Sequence, residues 1–169
     1  MRGQEPPKSF PLYSAAPPAT SCVLTPTEDC PRIVLDTNVV LDRLVFRDPG
    51  VAAIFSAIEA GQLRWLASPR MRDELAAVLS RGHLVHWQPD QDAALAAFDR
   101  HSQPCAEPPT CRLRCRDADD QVFIDLALTE RCEWLITHDR ALLALAKGAR
   151  VLGVHVTLPR QWPPAQTRL

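Results

Sequence analysis

Short apolar runs that alternate with helical stretches constrain this chain more than any other feature. Ile33-Val34-Leu35 is a continuous apolar run ending at Asp36, as suits a strand buried on both faces of a parallel sheet. A helix is expected to follow at once. Residues 50–60 carry helical spacing and close at Gly61, a natural helix terminator. Leu63–Ala67 is a second strand candidate, and Ser68-Pro69 then offers a cap residue followed by proline at the first position of a helix over 70–80. The pattern continues with helices over 91–101 and 118–131, a strand at Trp134-Leu135-Ile136, a helix over 139–147 ended by Gly148, and one or two short strands in Val151–Leu158. Residues 102–116, bearing proline and cysteine, read as a loop. Strands alternating with helices predict an α/β fold, a three-layer α/β/α sandwich with a central, mostly parallel sheet. Ligands bind such sheets at the carboxyl ends of the strands.

At 169 residues and 46% hydrophobic content the chain has enough material for one domain with a core. Residues 1–31 hold seven prolines and few large apolar side chains, a composition that predicts a disordered arm. The folded domain is expected over 32–160, with 161–169 as a tail from which Trp162 can dock on the body. The formal charge is −1, and Lys8 and Lys147 are the only lysines, so the chain lacks the broad basic surface that grips duplex nucleic acid nonspecifically. No apolar run approaches the roughly 18–20 residues of a membrane span and no secretory leader is evident, so a cytoplasmic location without membrane partners is expected. The six cysteines form no CxxC pair, and the spacing of His101, Cys105, Cys111 and Cys115 does not match structural zinc sites, so reduced thiols in a loop are expected there.

The acids are more informative. Asp36 follows the first strand directly, and Asp139 follows the strand 134–136 after Thr137-His138, so both would emerge on one edge of the sheet. Each could also simply cap the helix after it, where free N–H groups and the helix dipole favour a carboxylate. At roughly 100° per residue, Ile124 and Ala127 lie within about 40° of Asp120 on a wheel, which sets this carboxylate in the middle of an apolar face, pointing inward. A charge so placed needs a cation, a donor or a proton. Asp125 falls on the opposite, polar side with Gln121 and reads as a solvated acid. Asp117 and Asp119 read as capping or loop residues, with Asp117 able to reach the same place. On the helix 70–80, Glu74 lies beside Met71 and Val78 at the margin of the apolar stripe, either facing the sheet edge or serving as an ordinary surface glutamate, while Asp73 falls on the far side.

Asp36, Glu74, Asp120 and Asp139 brought together would repel one another unless a divalent cation neutralised them. Oxygen donors without His or Cys favour Mg²⁺ or Mn²⁺. No Ser or Cys nucleophile is paired with a His, which argues against covalent acyl chemistry. Metal-assisted attack of water on a phosphodiester makes use of carboxylates and metal alone.

Four motifs, in order, are Ile33-Val34-Leu35-Asp36-Thr37-Asn38, then Glu74, then Asp117-Ala118-Asp119-Asp120-Gln121 opening an Ala- and Leu-rich helix, then Leu135-Ile136-Thr137-His138-Asp139. Over about 32–158 this resembles a PIN domain, and the run from Cys115 through Leu128 is similar to the bacterial group of toxin components of toxin–antitoxin systems. The resemblance implies a Mg²⁺- or Mn²⁺-dependent ribonuclease acting on single-stranded or structured RNA, homodimers, and inhibition by a cognate antitoxin protein. It also implies that Asp36, Glu74 and Asp120 match the three core metal-binding acids and Asp139 the fourth. Thr37 and Asn38 then match the polar pair after the first acid, and Thr137 a small hydroxyl residue near the last.

Two other strand-then-Asp families fit less well. A haloacid-dehalogenase-type phosphatase wants a second Asp where this chain has Asn38, and a response-regulator receiver wants a late lysine outside a helix, whereas Lys147 lies within one. The alternative from a different class is a PIN-like module that binds RNA or protein without turnover.

Overall fold

A computed structural model describes residues 30–163 of the chain, so nearly all of the expected N-terminal arm and most of the expected tail lie outside the described residues. Five strands, β1 (Arg32–Leu35), β2 (Arg64–Ala67), β3 (Ser102–Pro104), β4 (Trp134–Ile136) and β5 (His155–Thr157), form one sheet in the order β3-β2-β1-β4-β5. Every pairing is parallel. Seven α-helices connect and flank it in an α/β/α sandwich: α1 (Thr37–Leu41), α2 (Ala52–Glu59), α3 (Pro69–Leu79), α4 (Gln91–His101), α5 (Gln121–Thr129), α6 (Arg140–Leu143) and α7 (Ala146–Val151). A central strand of a parallel sheet is covered on both faces, and so Ile33, Val34 and Leu35 are all buried.

The register sets up the functional edge. Leu35 of β1 pairs with Ile136 of β4, so the next residues, Asp36 and Thr137, stand side by side as the strands end. The Asp36 amide donates to the Ile136 carbonyl at 3.0 Å and holds that last step of the ladder. Chain connections diverge from β1 to β2 on one side and reach β4 on the other only later, which opens the crevice between the ends of β1 and β4 where open α/β sheets take ligands. Deeper in, Trp65 of β2 packs edge-to-face on Phe55 of α2 and Phe98 of α4, with ring centroids 6.0 and 4.8 Å away. Each such pair adds about 0.5–1.5 kcal/mol beyond area burial.

Several local expectations are corrected. Ser102–Pro104, expected as loop, is an edge strand, a place where proline's missing N–H is tolerated. Helix α5 begins at Gln121 rather than 118, leaving Asp120 in the cap position. The helix expected over 139–147 is two short helices, and Gly148 lies within α7 instead of ending it. A Cβ at 148 would stand 3.0 Å from Leu113 Cδ1, so glycine there permits close approach of the loop, and the turn into β5 is made by Gly153 at φ +91°. Val151 is accordingly helical rather than part of the last strand. Ser68 occupies the cap position of α3, but its hydroxyl is buried without a partner, and Glu107 accepts from the Arg70 amide at 2.7 Å. Trp162 is buried in the core.

The largest correction concerns Asp125. It is 4% exposed, not solvated, and its Oδ1 accepts from the Cys111 amide at 2.8 Å and Gln121 Nε2 at 2.7 Å. The Gln121 side chain also donates to the Leu113 carbonyl and accepts from the Cys115 amide, so two side chains one helical turn apart fasten the 111–115 loop over α5. The wheel identified the face of α5 turned from the sheet. It carried no information that a loop returns to cover that face. Burial raises the pKa of the Cys105, Cys111 and Cys115 thiols and pushes Cys132 up to about 12, which disfavours their thiolates. Among the described residues no helix is long and apolar enough to cross a membrane.

Candidate active site

Asp36 is 2% exposed at the end of β1 and serves two purposes at once. Its Oδ1 accepts from the Asn38 amide at 3.4 Å, capping α1, while Oδ2 accepts from the Thr137 hydroxyl at 2.7 Å. Thr137 is wholly buried, and its Oγ1 in turn accepts from the Asp139 amide at 2.8 Å. A chain of hydrogen bonds therefore runs from the β4–α6 connection through Thr137 into the Asp36 carboxylate and fixes its rotamer. Burial raises the Asp36 pKa above the ordinary range, partly offset by the Thr137 and Asn38 donors and raised again by the Asp139 charge.

Glu74, in the second turn of α3, faces the same place. Burial raises its pKa, the Thr37 hydroxyl draws it partly back, and the charges of Asp36 and Asp119 raise it again. Asp120, half-buried ahead of α5, is pushed up to about 7, first by burial and then by Asp139, Asp36, Asp117 and Glu74. Four other carboxylates thus act on Asp120 through their charge, behind the larger effect of its burial.

A cavity of about 430 Å³ lies over this edge, and Asp36, Thr37, Asn38, Glu74 and Asp120 all line it. Asp139 does not line it. Its charge bears on both Asp36 and Asp120, but its Oδ1 accepts from the Ala141 and Leu142 amides at 2.6 and 3.1 Å, so this acid also caps its own helix. Asp117 is exposed, accepts from the Asp119 amide at 3.0 Å, and acts on Asp120 through its charge. Asp36 thus both caps its helix and lines the cavity, whereas Asp139 caps its helix and reaches the other acids through its charge.

The donor set is all oxygen, its pKa values are raised first by burial and then by the neighbouring acids, and such a set suits a hard divalent cation. Among the described residues no three acids stand close enough, as placed, to share one ion, so binding would require the carboxylates to draw together.

Other residues at the edge were not singled out from the sequence. Asp119 acts on Glu74. Arg81, Phe46 and Trp87 line the far part of the cavity. His138 Nε2 lies 2.7 Å from Asp42 Oδ2, tying the β4–α6 connection to the turn after α1. Arg81 lies two residues beyond the end of α3, so helical periodicity does not carry it to the face of Glu74. Phe46 and Trp87 carried no signal either, because isolated aromatics read as core.

The family model described as PIN domain matches residues 32–141. Among solved structures, VapBC2 from Rickettsia felis, crystallised bound to a DNA fragment from its promoter, aligns with a TM-score of 0.52 at 14% identity, over 74% of this chain and 96% of that one. PAE2754 from Pyrobaculum aerophilum aligns with a TM-score of 0.47 at 15% identity, over 84% of this chain and 93% of that one. At such identity the first of these is a likeness of fold. No curated protein matches the chain.

Proposed function

The chain belongs to the PIN-domain family, and from that premise we propose that it is a metal-dependent ribonuclease, hydrolysing RNA phosphodiester bonds as the toxin of a toxin–antitoxin pair. PIN domains are generally nucleases and generally use divalent metal ions. The observation that carries the reading here is that Asp36, Glu74 and Asp120, brought from three separate elements, line one cavity at the carboxyl edge of the sheet. Crowded acids of this kind destabilise a fold unless a cation relieves them, and functional sites are where such arrangements concentrate.

In this reading Asp36, Glu74, Asp120 and Asp139 hold Mg²⁺ or Mn²⁺. When bound, the ion supplies an activated water and a counter-charge for the leaving 3′ oxygen. Thr137 keeps the Asp36 carboxylate in one rotamer through its 2.7 Å hydrogen bond, so that the donor at the end of β1 is positioned in advance. Thr37 lines the same cavity as Glu74 and draws its raised pKa partly back. Asn38, exposed on the cavity wall, is available to the substrate. The toxin role and a cognate antitoxin rest on the resemblance of the motifs, supported by a fold shared with the Rickettsia VapBC2 structure. A homodimer is part of the same proposal.

The test is cleavage of single-stranded RNA by purified protein with Mn²⁺ or Mg²⁺. Cleavage should stop on EDTA addition, and Asp36→Asn or Asp120→Asn should abolish it with an unchanged circular dichroism spectrum. Undiminished cleavage by either variant overturns the site. Growth arrest on expression, relieved by a small protein encoded beside the gene, tests the toxin role, and light scattering tests the dimer.

A further inference from the structure

The cavity over the carboxylates does not end at them. It continues to Arg81, Phe46 and Trp87, where two aromatic rings meet edge-to-face with centroids 5.1 Å apart and planes at 73°. Both rings are exposed, Phe46 at 38% and Trp87 at 54%, although a folding chain ordinarily buries such surface. The backbone holds them there at a cost. Phe46 closes a π-helical turn (Asp42–Phe46) and Trp87 closes a 3₁₀ stretch (Gly82–Trp87). Each is followed directly by a non-glycine residue in the left-handed region, Arg47 at φ 54° and Gln88 at φ 41°. Only one other non-glycine among the described residues, Arg131, has a positive φ. Backbone strain of this kind collects at sites that clamp ligands.

We propose that Phe46 and Trp87 form a stacking platform for one unpaired nucleobase of an RNA strand, with Arg81 on the adjoining phosphate and the neighbouring phosphodiester at the carboxylates. The inference rests on the ribonuclease reading and names its substrate class as single-stranded RNA with a base free to leave its stack. Three observations favour a nucleotide over a protein partner as the occupant. The rings and the acids share one continuous cavity, whose size falls in the range of about 300–1,000 Å³ usual for small-molecule sites. Arg81 is the only base among the described residues lining that cavity, and it forms no salt bridge among the described residues, so one cation is held ready where a polyanion would otherwise be repelled. An edge-to-face pair leaves an outward ring face open, which is what a flat base requires and what sequence-tolerant single-strand binding uses. A duplex keeps its bases stacked inside and offers this surface nothing.

The test separates this inference from the activity beneath it. A short single-stranded RNA bearing 2-aminopurine is titrated into the full-length protein, once in EDTA and once with Mg²⁺, while base and tryptophan fluorescence are followed. Quenching of the base on binding is expected, with none for the same strand in a duplex. Phe46→Ala and Trp87→Ala should each weaken binding about tenfold and remove the quenching, and Trp87→Phe should restore most of it. Arg81→Gln should weaken binding and flatten its dependence on salt. In cleavage assays Trp87→Ala should raise KM about tenfold and leave kcat within about twofold. Quenching by wild-type protein without metal-dependent cleavage would sustain the platform and remove the ribonuclease reading. Cleavage by Phe46→Ala and Trp87→Ala with KM unchanged would overturn the platform, keep the ribonuclease, and leave the rings to a protein partner. Failure of wild-type protein to quench the single strand in either condition also overturns it.

Discussion

Two aspartates in this protein are buried almost equally, Asp36 at 2% and Asp125 at 4% exposure, yet in opposite company. Asp125 is met by neutral donors, the Cys111 amide and the Gln121 side chain at 2.8 and 2.7 Å, and the acid pins a loop. Asp36 has one short donor, Thr137 at 2.7 Å, and a long one, the Asn38 amide at 3.4 Å, and it faces Asp139 besides. Burial of a carboxylate is therefore not itself a mark of function. What distinguishes the two is whether the surroundings are already satisfied or still require positive charge.

The comparison can be broken most directly at Asp36. Asp36→Asn is expected to lower metal-dependent RNA cleavage by more than about 10²-fold, beyond the roughly 10–100-fold typical when only an outer partner is lost, with a native circular dichroism spectrum. Asp125→Ala should leave the cleavage rate of folded protein within about threefold but lower stability by about 2 kcal/mol, because two donors lose their acceptor. Chemical denaturation measures the loss, and hydrogen exchange should place it in residues 111–115. If Asp125→Ala instead removed activity without changing stability, the distinction between the two aspartates would collapse. Thr137→Val lies between them. It releases the Asp36 carboxylate and strands the Asp139 amide, so metal affinity should fall about tenfold and stability by about 1 kcal/mol, read by calorimetric titration and melting.

The smallest effect is in pH. Asp36, Glu74 and Asp120 all have folded pKa values raised above their ordinary ones. Between the ordinary carboxylate range and the raised values the folded protein binds more protons than the unfolded chain. Their contribution to stability is thus greatest at acid pH and declines as pH rises, through about 7 for Asp120. In EDTA, the Tm of Asp120→Asn should gain on that of the wild type by a few degrees as pH rises from 5 to 8. Added Mg²⁺ should raise the wild-type Tm more at pH 8 than at pH 5.5, since protons and cation compete for the same carboxylates. A Tm difference independent of pH would show that Asp120 does not feel its acidic neighbours.

Much of this architecture was legible in the chain. Ile33-Val34-Leu35 could be read as a doubly buried strand because a continuous apolar run has few other uses. Asp36 and Asp139 could be assigned to one edge because parallel strands place all their carboxyl ends together. The strand at Ser102–Pro104 was not legible, since three polar or proline residues become an edge strand only when β2 offers its free edge.

Local sequence determined most of the strands and helices, the edge strand at Ser102–Pro104 excepted, and which acids follow the strands, because those outcomes depend on contacts within a few residues. Tertiary structure alone decided that a loop would return to bury Asp125 and that Phe46 would meet Trp87. It also decided that Thr137 would stand beside Asp36, 101 positions away in the chain. Such contacts arise from how separate elements close against one another, and no periodicity along the chain records them.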